Sequence, residues 1–172
     1  MKRFFMWVII GMVSIFSISI VGCTGETPSI VRIHIRANSN SVDDQSIKLV
    51  VRDNVIDYIR EKISDCNTSK EVLSTLEDNL RSIEDIADGV LIENGYNYLS
   101  SAYIDYEYFP SRDYDGITFP ADYYNALILR LGTGTGDNWW CVAYPPLCFV
   151  GENAMSEKVE YRSKIVDWLK NL

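Results

Sequence analysis

Few side chains in this chain can carry chemistry. His34 is the one histidine among 172 residues. That excludes a histidine-rich metal site and any mechanism that needs two imidazoles. His34 stands between Arg32 and Arg36 in an alternating run. Two guanidiniums nearby push an imidazole's pKa down, and the local sequence offers it no orienting acid. Four cysteines complete the reactive set: Cys23, Cys66, Cys141 and Cys148. A His34–Cys141 nucleophilic pair can be drawn on paper. Cys141 is better placed for a disulfide with Cys148, because Tyr144-Pro145-Pro146 between them makes a turn. The alternative for that pair is two buried free thiols. Neither spacing fits a zinc pattern, and no metal or other cofactor is implied.

Gly132-Thr133-Gly134-Thr135-Gly136 has the glycine content of a phosphate loop but no lysine. It also lies between two expected strands, with no helix to offer its N-terminus, so it reads as a hairpin turn. Asp113-Tyr114-Asp115-Gly116 is a turn that lacks the twelfth-position glutamate of a calcium loop, since Tyr124 stands there. Asn138-Trp139-Trp140-Cys141 places two adjacent tryptophans on a strand, so their rings must point to opposite faces. One can serve a core. The other meets solvent, a covering element or a partner.

The elements that position these residues follow from periodicity. Ile30–Ala37 alternates, with Val31, Ile33 and Ile35 on one face and Arg32, His34 and Arg36 on the other. That is the pattern of a half-buried strand. Asn38-Ser39-Asn40-Ser41 is a turn, and Ser41 caps a helix whose stripe is Ile47, Val51, Val55, Ile59 and Ile63. Leu49 and Ile56 are expected to widen that stripe, and Asp44 and Lys48 to pair at i,i+4. Thr68 and Glu71 open a second helix running through Val72, Leu76, Leu80, Ile83 and Ala87 to about Ile92. Strand patterns return over Tyr96–Phe109, Ile117–Phe119, Tyr124–Leu131 and Trp139–Tyr144. Ser156–Leu172 reads as a closing helix. The expected class is α+β: a mostly antiparallel sheet, two long helices after the first strand, and a C-terminal helix.

The N-terminus stands apart. Lys2 and Arg3 precede Phe4–Val21, which carries no charge. Residues 1–22 are expected to be a signal peptide or membrane anchor, 23–29 a linker, and 30–172 the folded domain. Ile20-Val21-Gly22-Cys23 resembles the lipobox of bacterial lipoproteins, which would make Cys23 a lipidation site. An uncleaved anchor and ordinary cleavage nearby are the alternatives. Each of these readings places the domain outside the cytoplasm. The formal charge is −8, which argues against nucleic acid as a partner and against adhesion to an anionic bilayer by surface charge.

Several of these stretches together resemble the stage II sporulation protein R family of endospore-forming bacteria (SpoIIR). They are Arg32-Ile33-His34-Ile35-Arg36-Ala37-Asn38-Ser39-Asn40-Ser41, then Phe119-Pro120-Ala121 and Tyr124-Asn125-Ala126-Leu127. Asp44-Gln45-Ser46-Ile47-Lys48-Leu49, Arg52-Asp53, Asn138-Trp139-Trp140-Cys141-Val142, Pro145-Pro146-Leu147-Cys148-Phe149, and the closing Arg162-Ser163-Lys164 and Asp167-Trp168-Leu169 complete the set. The resemblance spans residues from about 30 to the end. It implies a signal without catalytic activity. Such a protein is exported from the forespore into the space between the two cells of the sporangium. There it is required for a membrane-embedded aspartic protease of the mother cell (SpoIIGA) to process pro-sigma-E. Under that reading the expected partner-binding residues are Arg32, His34, Arg36, Asn38, Asn40, Trp139 and Trp140. The rival classes are a small extracytoplasmic thiol hydrolase using Cys141 or Cys148, and a structural envelope lipoprotein.

Overall fold

The computed structural model describes residues 30–114 and 117–146. The expected signal segment, linker and closing helix, together with Cys23 and Cys148, lie outside the described residues. The fold is α+β, with three helices and a mixed, mostly antiparallel sheet among the described residues. Strand β1 (Val31–Arg36) leads into helices α1 (Val42–Ile63), α2 (Ser69–Asp78) and α3 (Leu80–Glu93). Five strands follow: β2 (Ser100–Phe109), β3 (Arg112–Tyr114), β4 (Ile117–Phe119), β5 (Asp122–Leu131) and β6 (Asn138–Tyr144).

Four strands form one sheet in the order β2-β5-β1-β6, and β3 and β4 form a separate hairpin. β1 runs parallel to β5 and antiparallel to β6. The first strand is therefore central and covered on both faces, which corrects the half-buried expectation. One face, with Ile33, Ile35, Leu127 and Leu129, packs on Val51, Val55 and Ile59 of α1, Leu76 of α2, and Ile83 and Leu91 of α3. The other gathers Phe109, Tyr124, Ala126 and Ile128 into a smaller cluster.

Ser41 caps α1, accepting from Asp44 N at 3.1 Å, and the expected stripe from Ile47 to Ile63 is buried. Leu49 is 41% exposed and does not join the stripe, whereas Ile56 does. The second helix is two. Asn79 breaks it: its side chain donates to Thr75 O (2.7 Å) and accepts from Tyr58 OH on α1 (2.7 Å). A side chain that bonds the preceding turn competes with the helix ladder, and the tie to Tyr58 fixes the bend. Both pieces keep their apolar faces on the sheet, so the stripe survives the kink.

The glycine loop is not a hairpin. β1 lies between β5 and β6, so residues 132–137 must arch over the C-terminal end of β1 to carry the chain from one neighbour to the other.

Candidate functional site

Two groups of side chains meet around β1: one at its C-terminal end, the other on its polar face. At the end, the Asn38–Ser41 turn is locked into the glycine loop. Asn38 Oδ1 accepts from Thr133 N (3.0 Å), and Asn38 O accepts from the hydroxyls of Thr133 (2.7 Å) and Thr135 (2.9 Å). Asn40 Oδ1 accepts from Asp137 N (2.6 Å). Glycine is required where the loop presses on the turn. Gly132 has φ +55°, and a Cβ there would run into the Asn38 amide; at Gly136 it would run into the carbonyl of Ser39.

Asp44, buried in the first turn of α1, anchors the same turn. Its carboxylate accepts from Ser39 Oγ (2.5 Å), Tyr98 OH (2.5 Å) and Asn38 Nδ2 (2.9 Å). Burial pushes its pKa up, but the bonds from Ser39, Tyr98, Asn38 and Ser41 outweigh this and hold it below the usual carboxylate value. Lys48 does not pair with Asp44. Its ammonium donates to Gln45 Oε1 (2.6 Å) and Asp137 O (2.9 Å), which ties α1 to the glycine loop. Asn38 and Asn40 therefore have an architectural role that the sequence reading did not give them.

On the polar face, Arg32 is completely buried. Its guanidinium carbon lies 4.6 Å from the Phe109 ring centroid, 5.2 Å from that of Tyr124 and 5.7 Å from that of Tyr114. Nη2 donates to Tyr114 OH at 2.7 Å, while Nε and Nη1 have no partner among the described residues. The β3–β4 hairpin supplies Tyr114, so a cation placed on the sheet face is roofed by aromatics rather than exposed to a partner. Burial lowers its pKa, and the neighbouring Tyr114 and Tyr124 hydroxyls oppose that.

His34 is 4% exposed. Its Nδ1 lies 2.7 Å from Glu107 Oε2, and the second oxygen of Glu107 is in close contact with Arg36 Nη2. Nothing near His34 in the chain points to this acid, because Glu107 arrives on β2 from 73 residues away. Burial drives the imidazole pKa down to about 4; the Asn138 side chain opposes this, and Arg36 and Arg32 reinforce it. The Glu107 carboxylate pulls the other way. Its charge is shared with Arg36, so the downward direction holds. The neutral imidazole then donates from Nδ1–H to Glu107. That leaves Nε2 unprotonated, and it has no partner among the described residues.

The two tryptophans point to opposite faces as expected. Trp139 packs against the helix-side cluster and Trp140 against the smaller one. Each is half-buried under a guanidinium: Arg52 lies 5.5 Å from the Trp139 ring and Arg112 lies 4.4 Å from the Trp140 ring. Trp140 is directly across from His34 in the sheet, with ring centroids 5.5 Å apart.

Of the seven partner-binding candidates, Arg32 and His34 are thus interior residues. Arg36 and Asn40 reach the surface but are bonded within the molecule, and Asn38 and the two tryptophans are partly covered. Cys141 is buried and disulfide-bonded, so it has no thiol to offer His34. Cys66 is a free thiol, half-buried, with Sγ 3.5 Å from Thr75 Oγ1. Among the described residues, no cluster of three or more histidine, cysteine, aspartate or glutamate side chains could hold a metal.

Comparison with known proteins adds what geometry does not. Residues 27–154 match the family model described as stage II sporulation protein R. The chain is 37% identical over 120 residues to the stage II sporulation protein R of Bacillus subtilis (strain 168). That alignment covers 70% of this chain and 54% of the relative, so the chain spans about half the length of the curated protein it matches. No solved structure matches it.

Proposed function

We propose, from the premise that this chain belongs to the stage II sporulation protein R family, that it is an exported signal of sporulation. In this reading it activates the membrane-embedded aspartic protease (SpoIIGA) that processes pro-sigma-E in the mother cell. Family membership over residues 27–154 is the observation that carries the proposal. The uncharged Phe4–Val21 segment behind Lys2-Arg3 supports export. The signal works by contact and breaks no bond itself. A domain of this kind shifts a protease toward its active arrangement only as far as it binds that arrangement more tightly than the inactive one. Its value to such a task is a rigid surface. The sheet core and the locked end of β1 supply that rigidity, because little ordering entropy is then lost on docking.

The test is rescue in a sporulating host that lacks its own copy of this gene. The full chain, made in the forespore, is expected to restore pro-sigma-E cleavage. The chain without residues 1–22, held in the forespore cytoplasm, is expected not to. Restoration by the retained form would refute action across the intercellular space.

A further inference from the structure

The end of β2 that carries Tyr106 and Tyr108 runs past the helix-side core among the described residues. Ala102, Ile104, Tyr106 and Tyr108 share a face. The first two pack on the helix-side core, whereas Tyr106 and Tyr108 are 61% and 55% exposed. Tyr123 sits across from Tyr108 on β5 and is 54% exposed. Its ring lies 5.6 Å from each of the other two, stacked on Tyr106 and edge-on to Tyr108. The three rings therefore hold one another in place, and none of the described elements covers them.

The backbone beside them is also open. β2 is an outer strand of the sheet. At its start, α3 caps the outer edge: Ser100 N donates to Asp88 Oδ1 (2.6 Å) and Ala102 N to Glu84 Oε1 (2.8 Å). Such caps block strand addition. Among the described residues, no helix side chain caps the edge beyond Ala102. At Tyr106 the cap is local, from the amide to the exposed Asp105 carboxylate beside it (2.8 Å). The charge here has one sign. Asp105 and Asp122 are exposed, and neither β2 nor residues 122–129 contain a lysine or arginine. Strand alternation puts Asp105 on the face away from the three rings, beside Glu107, and Asp122, paired with Phe109, on that same face; Glu107 is engaged there by Arg36 and His34.

We infer that this end of β2 docks an extended, lysine- or arginine-bearing segment of a protein partner, added beside β2 as a further strand. Backbone pairing along Ile104–Phe109 supplies register. An added strand turns alternate side chains to the two faces, so the tyrosine rings take its apolar side chains on one face and the carboxylates of Asp105 and Asp122 select its cations on the other. The same acids disfavour an anionic bilayer or a second copy of this acidic chain. Only the identity of the partner rests on the signalling reading; the surface does not.

The test uses the full chain and a fluorescein-labelled nonapeptide of alternating lysine and valine, with a glutamate–valine peptide as control, read by anisotropy. The lysine peptide is expected to bind and the glutamate peptide not to. Tyr106→Ser/Tyr108→Ser/Tyr123→Ser is expected to weaken binding at least tenfold with an unchanged urea midpoint. Asp105→Lys alone, at an exposed position, is expected to weaken it several-fold by repulsion. Asp105→Asn/Asp122→Asn is expected to weaken binding and flatten its salt dependence. Unchanged binding by the tyrosine variants overturns the inference. So does wild-type binding to phosphatidylglycerol vesicles without binding to the lysine peptide. In a reconstituted pro-sigma-E cleavage assay the triple variant is expected to lose activity. Full cleavage by that variant removes the docking edge and leaves the signalling reading standing. Absence of cleavage with the wild type removes the signalling reading, and the peptide result still judges the surface.

Discussion

Replacing Gly136 by alanine should destabilise the protein, while the same change at Gly89 should stabilise it. Gly136 is buried where the glycine loop crosses the end of β1, and its amide donates to Ala37 O at 2.9 Å. A Cβ at this position falls inside 3.0 Å of the Ser39 carbonyl and at 3.0 Å from Ala37 Cβ. The obstacle is mainly backbone, so no side chain can rotate away. The loop must lift, which strains the Gly136–Ala37 bond and the adjacent Asp137–Asn40 bond. Overpacking costs about 1–3 kcal/mol, and a weakened buried hydrogen bond adds about 1 kcal/mol. Loss of glycine's freedom in the unfolded chain returns about 0.4–1 kcal/mol. The net expectation is a loss of about 1–4 kcal/mol. Gly89 sits inside α3, and a Cβ there has nothing within 4 Å. Alanine should gain about 0.5–1 kcal/mol from helix propensity alone. Urea unfolding monitored by tryptophan fluorescence reads both as shifts in midpoint at constant slope. A Gly136→Ala protein as stable as wild type would refute the packing of loop on turn. A destabilised Gly89→Ala would refute the placement of α3.

Three further outcomes follow from the buried polar groups. Arg32→Met fills similar volume without a charge, so it should be near neutral or stabilising, while Arg32→Ala should lose about 2–4 kcal/mol to a cavity; urea midpoints decide between these and an essential guanidinium. His34 has a folded pKa below its unfolded value. The unfolded chain therefore takes up more protons between pH 6.5 and about 4, and stability should fall on acidification through that window. The slope is at most about 1.4 kcal/mol per pH unit, and it should vanish in His34→Gln. A rise in stability on acidification would mean that Glu107 wins over burial. Asp44, held below its ordinary pKa, stabilises above about pH 4 and loses that contribution as pH falls through its folded value. Asp44→Ala should cost at least about 2 kcal/mol at pH 7, measured by urea titration, because it strands donors from Ser39, Asn38 and Tyr98.

What was legible in the sequence was whatever period and capping express locally. The alternation of β1, the stripe of α1, the Ser41 cap, the opposite-facing tryptophans and the α+β class all have signals a few residues long. The misreadings come from partners distant in sequence. Strand order decided that β1 is central, and no feature of residues 31–36 announces that β5 and β6 will flank it. The same order made the glycine loop an arch instead of a hairpin. Arg32 and His34 looked like a polar surface because alternation cannot see the β3–β4 hairpin that roofs Arg32 or the Phe109 and Trp140 rings that cover His34. Glu107 was invisible as the acid of His34 because the pairing spans β1 to β2. The Asn79 break was missed because its tie, Tyr58, lies on another helix. The Asn38–Asn40 turn carried a visible signal, a cluster of side chains able to bond backbone; its target, the glycine loop, did not.

In the proposed function a folded, exported domain turns on another cell's protease by touch. The most direct measurement is co-expression of this chain, the membrane protease (SpoIIGA) and pro-sigma-E in a non-sporulating host, with precursor cleavage scored on a gel. Cleavage that appears only when this chain is present and exported is the predicted result. Cleavage independent of this chain, or none in the presence of all three proteins, would contradict it.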